Sequence, residues 1–283
     1  MWRELIRSRC GHALVESRVF FLERRLWDRM RQRGLSSYAA YHRFISLSPG
    51  GEAEWAELLE ELLNRETSFF RHRPSFEVLA TRLLPSLLQE KGRRGDRTLG
   101  LWSAGCSDGA EPYSMAMAVL GVVDTRRWDV QILASDLSRR ALERARSATY
   151  KEFELRTLPE EYRGRYFSAV GTNGSKRFEI RKDVAALVRF ERSDVRKPRD
   201  GTITAEQDVI FCQNVLIYFE PADRVEAVKS LAALLRPGGY LVLAPGEMVG
   251  LRLPEVKPAF LDDVLVYQRT LRTPPGVEAE SER

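Results

Sequence analysis

Cysteine and histidine are scarce in this chain, with three of each in 283 residues. Cys10, Cys106 and Cys212 lie far apart and form no Cys-x-x-Cys pair, which argues against a disulfide framework and a thiolate zinc site. His12, His42 and His72 lack metal-ligand spacing, so no metal is expected and the three read as ordinary polar residues. Long apolar runs are missing too. No stretch approaches 18 uncharged apolar residues, and the opening MWRELIRSRC alternates apolar and basic side chains instead of forming a signal-peptide core. A cytoplasmic chain without internal repeats is expected. At 43% hydrophobic and 30% charged, it is too apolar for disorder and long enough to bury one large core and a smaller one.

The net charge of +5 is too small to imply nucleic-acid binding by itself, but it is concentrated. Residues 18–43 hold Arg18, Arg24, Arg25, Arg29, Arg31, Arg33 and Arg43 against Glu23 and Asp28, so the rest of the chain is neutral. Arg18, Arg25 and Arg29 recur on one helical face beside the apolar stripe Val19, Leu22, Leu26 and Met30. An acidic partner is expected there.

Helical patterns cover 14–34, 36–47, 52–66 and 74–92, the second opening at a Ser-Ser cap and the third after Ser48-Pro49-Gly50-Gly51. They define an expected N-terminal all-α domain over 1–90. The charged, glycine-broken 91–98 reads as a linker. From Leu99, short apolar runs alternate with helices (TLGLWSA, EPYSMAMAVLGVV, VQILASD, SRRALERARSA, DVIFCQN, YLVLAPGE, VLVYQRT), the pattern of an α/β, mainly parallel, doubly wound sheet over 99–272. Its ligand crevice belongs at the carboxyl ends of the strands. Asn173-Gly174 marks a hairpin within a small β-rich insertion at about 150–186, and 273–283 reads as a flexible tail.

Two loops carry chemistry. In LWSAGCSDGAEPYS a strand ends at Ala104, Gly105 and Gly109 permit tight turns beside a ligand, and a helix starts near Glu111-Pro112. Asp136 ends the next strand, 31 residues past Gly105, where an acid can accept hydrogen bonds from ribose hydroxyls or simply cap the following helix. Together they suggest a nucleoside cofactor without separating NAD from S-adenosylmethionine.

Five strings separate them. ETSFFR (66–71), WSAGCSDGAEPYSMAMA (102–118), ASDLSRRALERARSATY (134–150), IFCQNVLIYF (210–219) and LLRPGGYLVLAPGE (234–247) resemble, in order and spacing, the motif series of the CheR-type chemotaxis methyltransferases. LERRLWDRMRQRGLSSYAAY resembles that family's helical domain. The resemblance implies a Rossmann-like S-adenosylmethionine-dependent sheet, and methyl transfer to glutamate side chains of chemoreceptors with S-adenosylhomocysteine as product. It implies that Thr67 and Arg71 contact the cofactor from the helical side, with Phe69 and Phe70 packing the segment that closes over it. Gly105 would lie against the cofactor, Glu111 would meet its amino end and Asp136 its ribose. Asp194-Val195 would meet the adenine region, with Asn214-Val215 lining the same crevice. Tyr218 is implied beside the transferring methyl, orienting the substrate carboxylate, with Arg71 holding the cofactor's carboxyl end. Such a carboxylate is already ionised at neutral pH, so no further base or metal is required. Arg25, Arg29 and Arg31 would contact an acidic helical region of the receptor. A monomer is expected, with neither nucleic acid nor membrane insertion.

The chain departs from the family pattern at Arg65 (with Asn64 displaced by one), at Ala110 in place of the first of two acids, and at Gln213 in place of an arginine. Two other readings are a non-catalytic S-adenosylmethionine sensor or adaptor and a methyltransferase for another substrate. Against a nucleic-acid amino-group enzyme, Asn214-Val-Leu-Ile-Tyr218 is not an Asn/Asp-Pro-Pro-aromatic loop.

Overall fold

A computed structural model describes residues 1–13, 19–63, 66–171, 176–198, 203, 205–248, 250 and 252–270. Arg18, Asn64, Arg65, the Asn173-Gly174 turn and the C-terminal tail lie outside the described residues.

Four helices build the first core: α1 (Trp2–Cys10), α2 (Val19–Gln32), α3 (Tyr38–Leu47) and α4 (Gly51–Leu62). Helix α2 buries Leu22, Leu26 and Met30, four residues apart, so one stripe faces inward. The expected cap forms at α3, where the Ser37 side chain accepts from the Ala40 N–H. Glycine is required at the start of α4, because a Cβ on Gly51 would sit 2.2 Å from the Ile45 carbonyl oxygen. Trp55, Leu58, Leu59 and Leu62 complete the core with Ile6, Tyr41 and Ile45.

The helix expected over 74–92 is in three pieces: α5 (Arg73–Val78), a single π turn (Leu79–Leu83) and α6 (Leu84–Arg93). Pro85 supplies the reason. It has no N–H to give the preceding turn and its ring crowds the carbonyl four residues back, so the helix widens there. Phe69, Phe70, Phe76, Leu79, Leu83 and Leu87 are buried with the sheet, not with the first four helices. The apolar cores therefore divide between Leu63 and Phe69, not at the expected boundary of 91–98. Within that stretch Lys91 is buried, its Nζ 2.9 Å from both carboxylate oxygens of Asp208.

The remaining elements are β1 (Thr98–Ala104), α7 (Ala110–Val122), β2 (Asp129–Asp136), α8 (Arg139–Ser147), β3 (Thr149–Lys151), α9 (Glu160–Tyr166), β4 (Phe167–Val170), β5 (Arg177–Ile180), α10 (Lys182–Ala185), β6 (Val188–Arg192), β7 (Gln207–Cys212), α11 (Pro221–Ala232), β8 (Leu235–Leu243), β9 (Val256–Leu261) and β10 (Val264–Arg269). The main sheet has seven strands in the order β6-β2-β1-β7-β8-β10-β9. β6 through β8 run parallel, and β10 is antiparallel to both its neighbours. The chain leaves β1 toward β2 and β6, then returns to the other side of β1 with β7. That reversal opens a crevice at the carboxyl ends of β1 and β7. β3, β5 and β4 form a separate antiparallel sheet, the expected insertion. Strand β9, not among the apolar runs of the sequence pattern, carries Pro258 and lies at the sheet edge, where proline is tolerated.

Candidate active site

The switch-point crevice is lined from both units. Its floor comes from the sheet. Gly105 follows β1 with a left-handed φ of 88°, and a Cβ there would lie 2.3 Å from Val215 Cγ2. Glycine therefore lets the β1 loop and the loop after β7 close together. Glu111, in the first turn of α7, accepts from Ser103 Oγ at 2.7 Å. Burial pushes its pKa up to about 7, with the charge of Glu247 adding to the rise while the Ser103 bond and Arg71 oppose it. A carboxylate held this way has a strong demand for a cation.

Asp136 accepts the Ser107 N–H on Oδ2 and the Ser138 N–H on Oδ1, each at 2.8 Å. It thus makes the local helix-entry bond and ties the two floor loops. Each oxygen keeps a lone pair for a ribose hydroxyl. Burial raises this carboxyl pKa too, against the pull of those backbone donors. At the neighbouring helix entry, buried Glu60 of α4 accepts from Ser138 Oγ at 2.5 Å and from the Arg139 N–H at 2.7 Å. This bond between the units sits beside the crevice.

Thr67, Arg71, Val195, Asn214, Val215 and Tyr218 also line the crevice. Arg71 Nη1 donates to the Glu66 carbonyl at 3.0 Å, which keeps its segment folded over the opening. Phe69 and Phe70 pack that segment down: Phe69 stands edge-on to Tyr150 and Phe167, and Phe70 to Phe76 and Tyr162. Asp194 differs from expectation. Its carboxylate is taken up by Arg196, 2.6 Å away, while its neighbours Ser193 and Val195 face the crevice.

Arg29 is a correction. Its guanidinium bonds both oxygens of Glu54 at 2.8 Å, beside Arg33 and the Tyr41 hydroxyl, and its side chain is only 12% exposed. Burial alone would raise the Glu54 pKa, but Arg29, Tyr41 and Arg33 together hold it below the usual range. Arg29 therefore neutralises a buried acid and cannot offer its charge to a receptor. Arg25 is half-exposed and 3.5 Å from Glu61. Arg31 faces solvent.

Sequence reasoning gave three contributors no role in the site. His12 lines the crevice from the N-terminal segment. Gln213 donates to Ser75 Oγ at 2.9 Å, which gives this departure from the family pattern a partner inside the fold. Glu247 accepts from the N–H groups of Leu216 at 3.0 Å and Ala244 at 2.9 Å, fastening the loop that carries Tyr218 to the end of β8. Gln213 was visible beforehand as a departure from the pattern, His12 only as an ordinary polar residue and Glu247 only as the last residue of a motif string.

A mainly parallel sheet that brings one buried acid at the start of α7 and another at the end of β2 to a single switch-point crevice has the architecture of a nucleoside-cofactor enzyme. Two family models match in tandem: the CheR methyltransferase all-alpha domain over residues 1–63 and the CheR methyltransferase SAM binding domain over residues 65–259. The chain belongs to the CheR methyltransferase family. A probable chemotaxis protein methyltransferase of Rhizobium etli is 35% identical over 87% of this chain and 90% of its own length. Chemotaxis protein methyltransferase 1 of Vibrio cholerae is 33% identical over 86% of each chain. Chemotaxis protein methyltransferase 1 of Pseudomonas aeruginosa is 32% identical over 90% of this chain and 91% of its own. Among the described residues, no helix is long and apolar enough to cross a membrane.

Proposed function

We propose that the chain, a cytoplasmic monomer, methylates glutamate side chains of chemoreceptors, giving glutamate methyl esters. The observation that carries this reading is that the floor acids Glu111 and Asp136, the roof residues Thr67 and Arg71, and Tyr218 all line one crevice. Bound S-adenosylmethionine supplies an electrophilic methyl on a sulfonium sulfur. Glu111 would hold its amino group, Arg71 its carboxylate and Asp136 its ribose, with Val195 and Asn214-Val215 on the adenine side. Tyr218 touches the substrate carboxylate through its hydroxyl and fixes its approach. The protein's contribution is alignment, because an ionised carboxylate needs no base.

The receptor-facing surface is the outer stripe of α2. Phe20 (76% exposed), Arg24, Trp27 (46% exposed) and Arg31 follow one another at four-, three- and four-residue steps. Among the described residues, Arg24 and Arg31 have no ion pair. Aromatic and cationic groups in alternation suit an amphipathic helix rich in glutamate. Arg25 lies at the edge of this stripe and contributes less, since Glu61 already offsets its charge.

Incubation with methyl-tritiated S-adenosylmethionine and a receptor cytoplasmic fragment tests the reading. Label released as methanol by alkali supports it, and alkali-stable label contradicts it. Tyr218→Phe is expected to lower kcat about 100-fold, the scale of a lost orienting contact, with S-adenosylhomocysteine affinity kept within about twofold. Wild-type turnover would remove Tyr218 from the mechanism.

A further inference from the structure

Helix α1 does more than complete the helical core. It ends at Gly11, whose left-handed φ of 78° turns the next residues across the crevice mouth. Glycine is needed at the turn, since a Cβ there would lie 2.7 Å from Arg196 Cδ and 3.1 Å from the Phe219 ring. His12 then pairs with Phe219 as an isolated antiparallel bridge, and the Ala13 N–H donates to the Tyr218 carbonyl at 2.7 Å. The His12 imidazole stacks on the Tyr218 ring, with centroids 5.2 Å apart and planes 26° apart.

The strap is anchored at its helical end. Arg7 Nε donates to Asp223 at 2.8 Å, and Arg196 Nη1 donates to the Arg7 carbonyl at 3.0 Å. Ile6 and Cys10 of the same helix are buried in the helical core. One short segment therefore belongs to the first core, is tied to the sheet unit, and reaches the aromatic ring closest to the proposed chemistry. On the other side of that loop, Glu247 fixes the peptide groups of the turn Leu216–Tyr218. The carboxylate and the strap hold the backbone, and the His12 imidazole packs against the ring.

We propose that His12 is a positioning residue for Tyr218: its imidazole fixes the plane of the phenol against the crevice. This rests on the reading of Tyr218 as the group that orients the substrate carboxylate. A flat ring at position 12 is the requirement, so phenylalanine should substitute for histidine and alanine should not.

The test uses the full chain with ¹³C-labelled tyrosine, the Tyr218 ring signals being assigned by their loss in Tyr218→Phe. In His12→Ala these signals are expected to move toward the positions of an unstacked tyrosine, and in His12→Phe to remain shifted from them, with the other tyrosines unmoved in both. Methyl transfer by His12→Ala should show kcat lowered about tenfold, receptor KM and S-adenosylhomocysteine Kd within about twofold of wild type, and recovery in His12→Phe. Unmoved Tyr218 signals in His12→Ala would overturn the proposal. So would a loss confined to cofactor affinity, which would make His12 a plain wall of the crevice. If the wild-type chain transfers no methyl to glutamate while the ring signals respond as expected, the functional reading fails and the placement of the ring by His12 stands.

Discussion

On the floor of the crevice the groups are secured by the sheet unit itself: Gly105 follows β1, Asp136 ends β2, and Glu111 is pinned by Ser103 of β1. The roof is assembled differently. Thr67 and Arg71 sit on a segment joining the two cores, and His12 arrives on a strap from the first helix. The units meet through directional bonds, among them Glu60 at the α8 entry, Arg140 with Glu57 and Glu61, Arg7 with Asp223, and Ala13 with Tyr218. Under the proposed function the floor groups would be preorganised for the cofactor, while the roof would place the substrate-facing parts where docking on α2 could be felt.

Breaking the floor gives the largest effect. Gly105→Val puts a β-branched residue at positive φ and drives its Cβ into Val215. S-adenosylhomocysteine affinity, measured by titration calorimetry, is expected to fall by about 100-fold or more, the equivalent of about 3 kcal/mol of strain and displaced wall. Affinity within tenfold of wild type would show that the two loops need not approach so closely.

Within the helical unit, Arg29 and Arg31 should separate stability from docking. Arg29→Ala leaves Glu54 buried with only Arg33 and Tyr41, and should cost about 2–3 kcal/mol in chemical denaturation. Arg31→Glu should leave stability within about 0.5 kcal/mol and raise receptor KM several-fold. The opposite pattern would return Arg29 to the docking surface.

Glu111→Gln sharpens the contrast by acting on stability and binding with opposite signs. The folded protein holds a proton on this carboxyl up to about pH 7, whereas the unfolded chain gives it up near its ordinary value of 4.5. The cofactor-free protein therefore loses stability as pH rises through that window and is level above it. Glutamine removes this loss, so the variant's Tm should exceed wild type at pH 8 and match it near pH 4. Cofactor affinity should drop about tenfold at pH 8, the loss of one charge-assisted bond, and the wild-type affinity should weaken below pH 7 while the variant's stays level. A wild-type affinity that is flat from pH 8 to pH 6 would remove Glu111 from the amino-group site.

Much of the floor was legible because it is local. The run TLGLWSA coincides with β1, and both Gly105 and Asp136 stand where strands end. The roof was less so. Helix α1 and His12 act through contacts with residues some two hundred positions away, which no periodicity reveals. Glu247 works through backbone donors and leaves no pattern in side-chain types. Arg29 carried a signal that was read the wrong way. It lies three residues after Leu26 and seven after Leu22, at the border of the buried stripe, where an acid from α4 meets it, while Arg24 and Arg31 lie across the helix. Lys91 shows the same limit, since glycines and charges around it look like a linker until Asp208 is seen beside it.

The most direct measurement is a crystal structure of the chain with S-adenosylhomocysteine. The account predicts its amino group on Glu111, its ribose hydroxyls on Asp136, its carboxylate toward Arg71 and its sulfur facing Tyr218. A ligand seated elsewhere, or one whose sulfur points away from Tyr218, would contradict it.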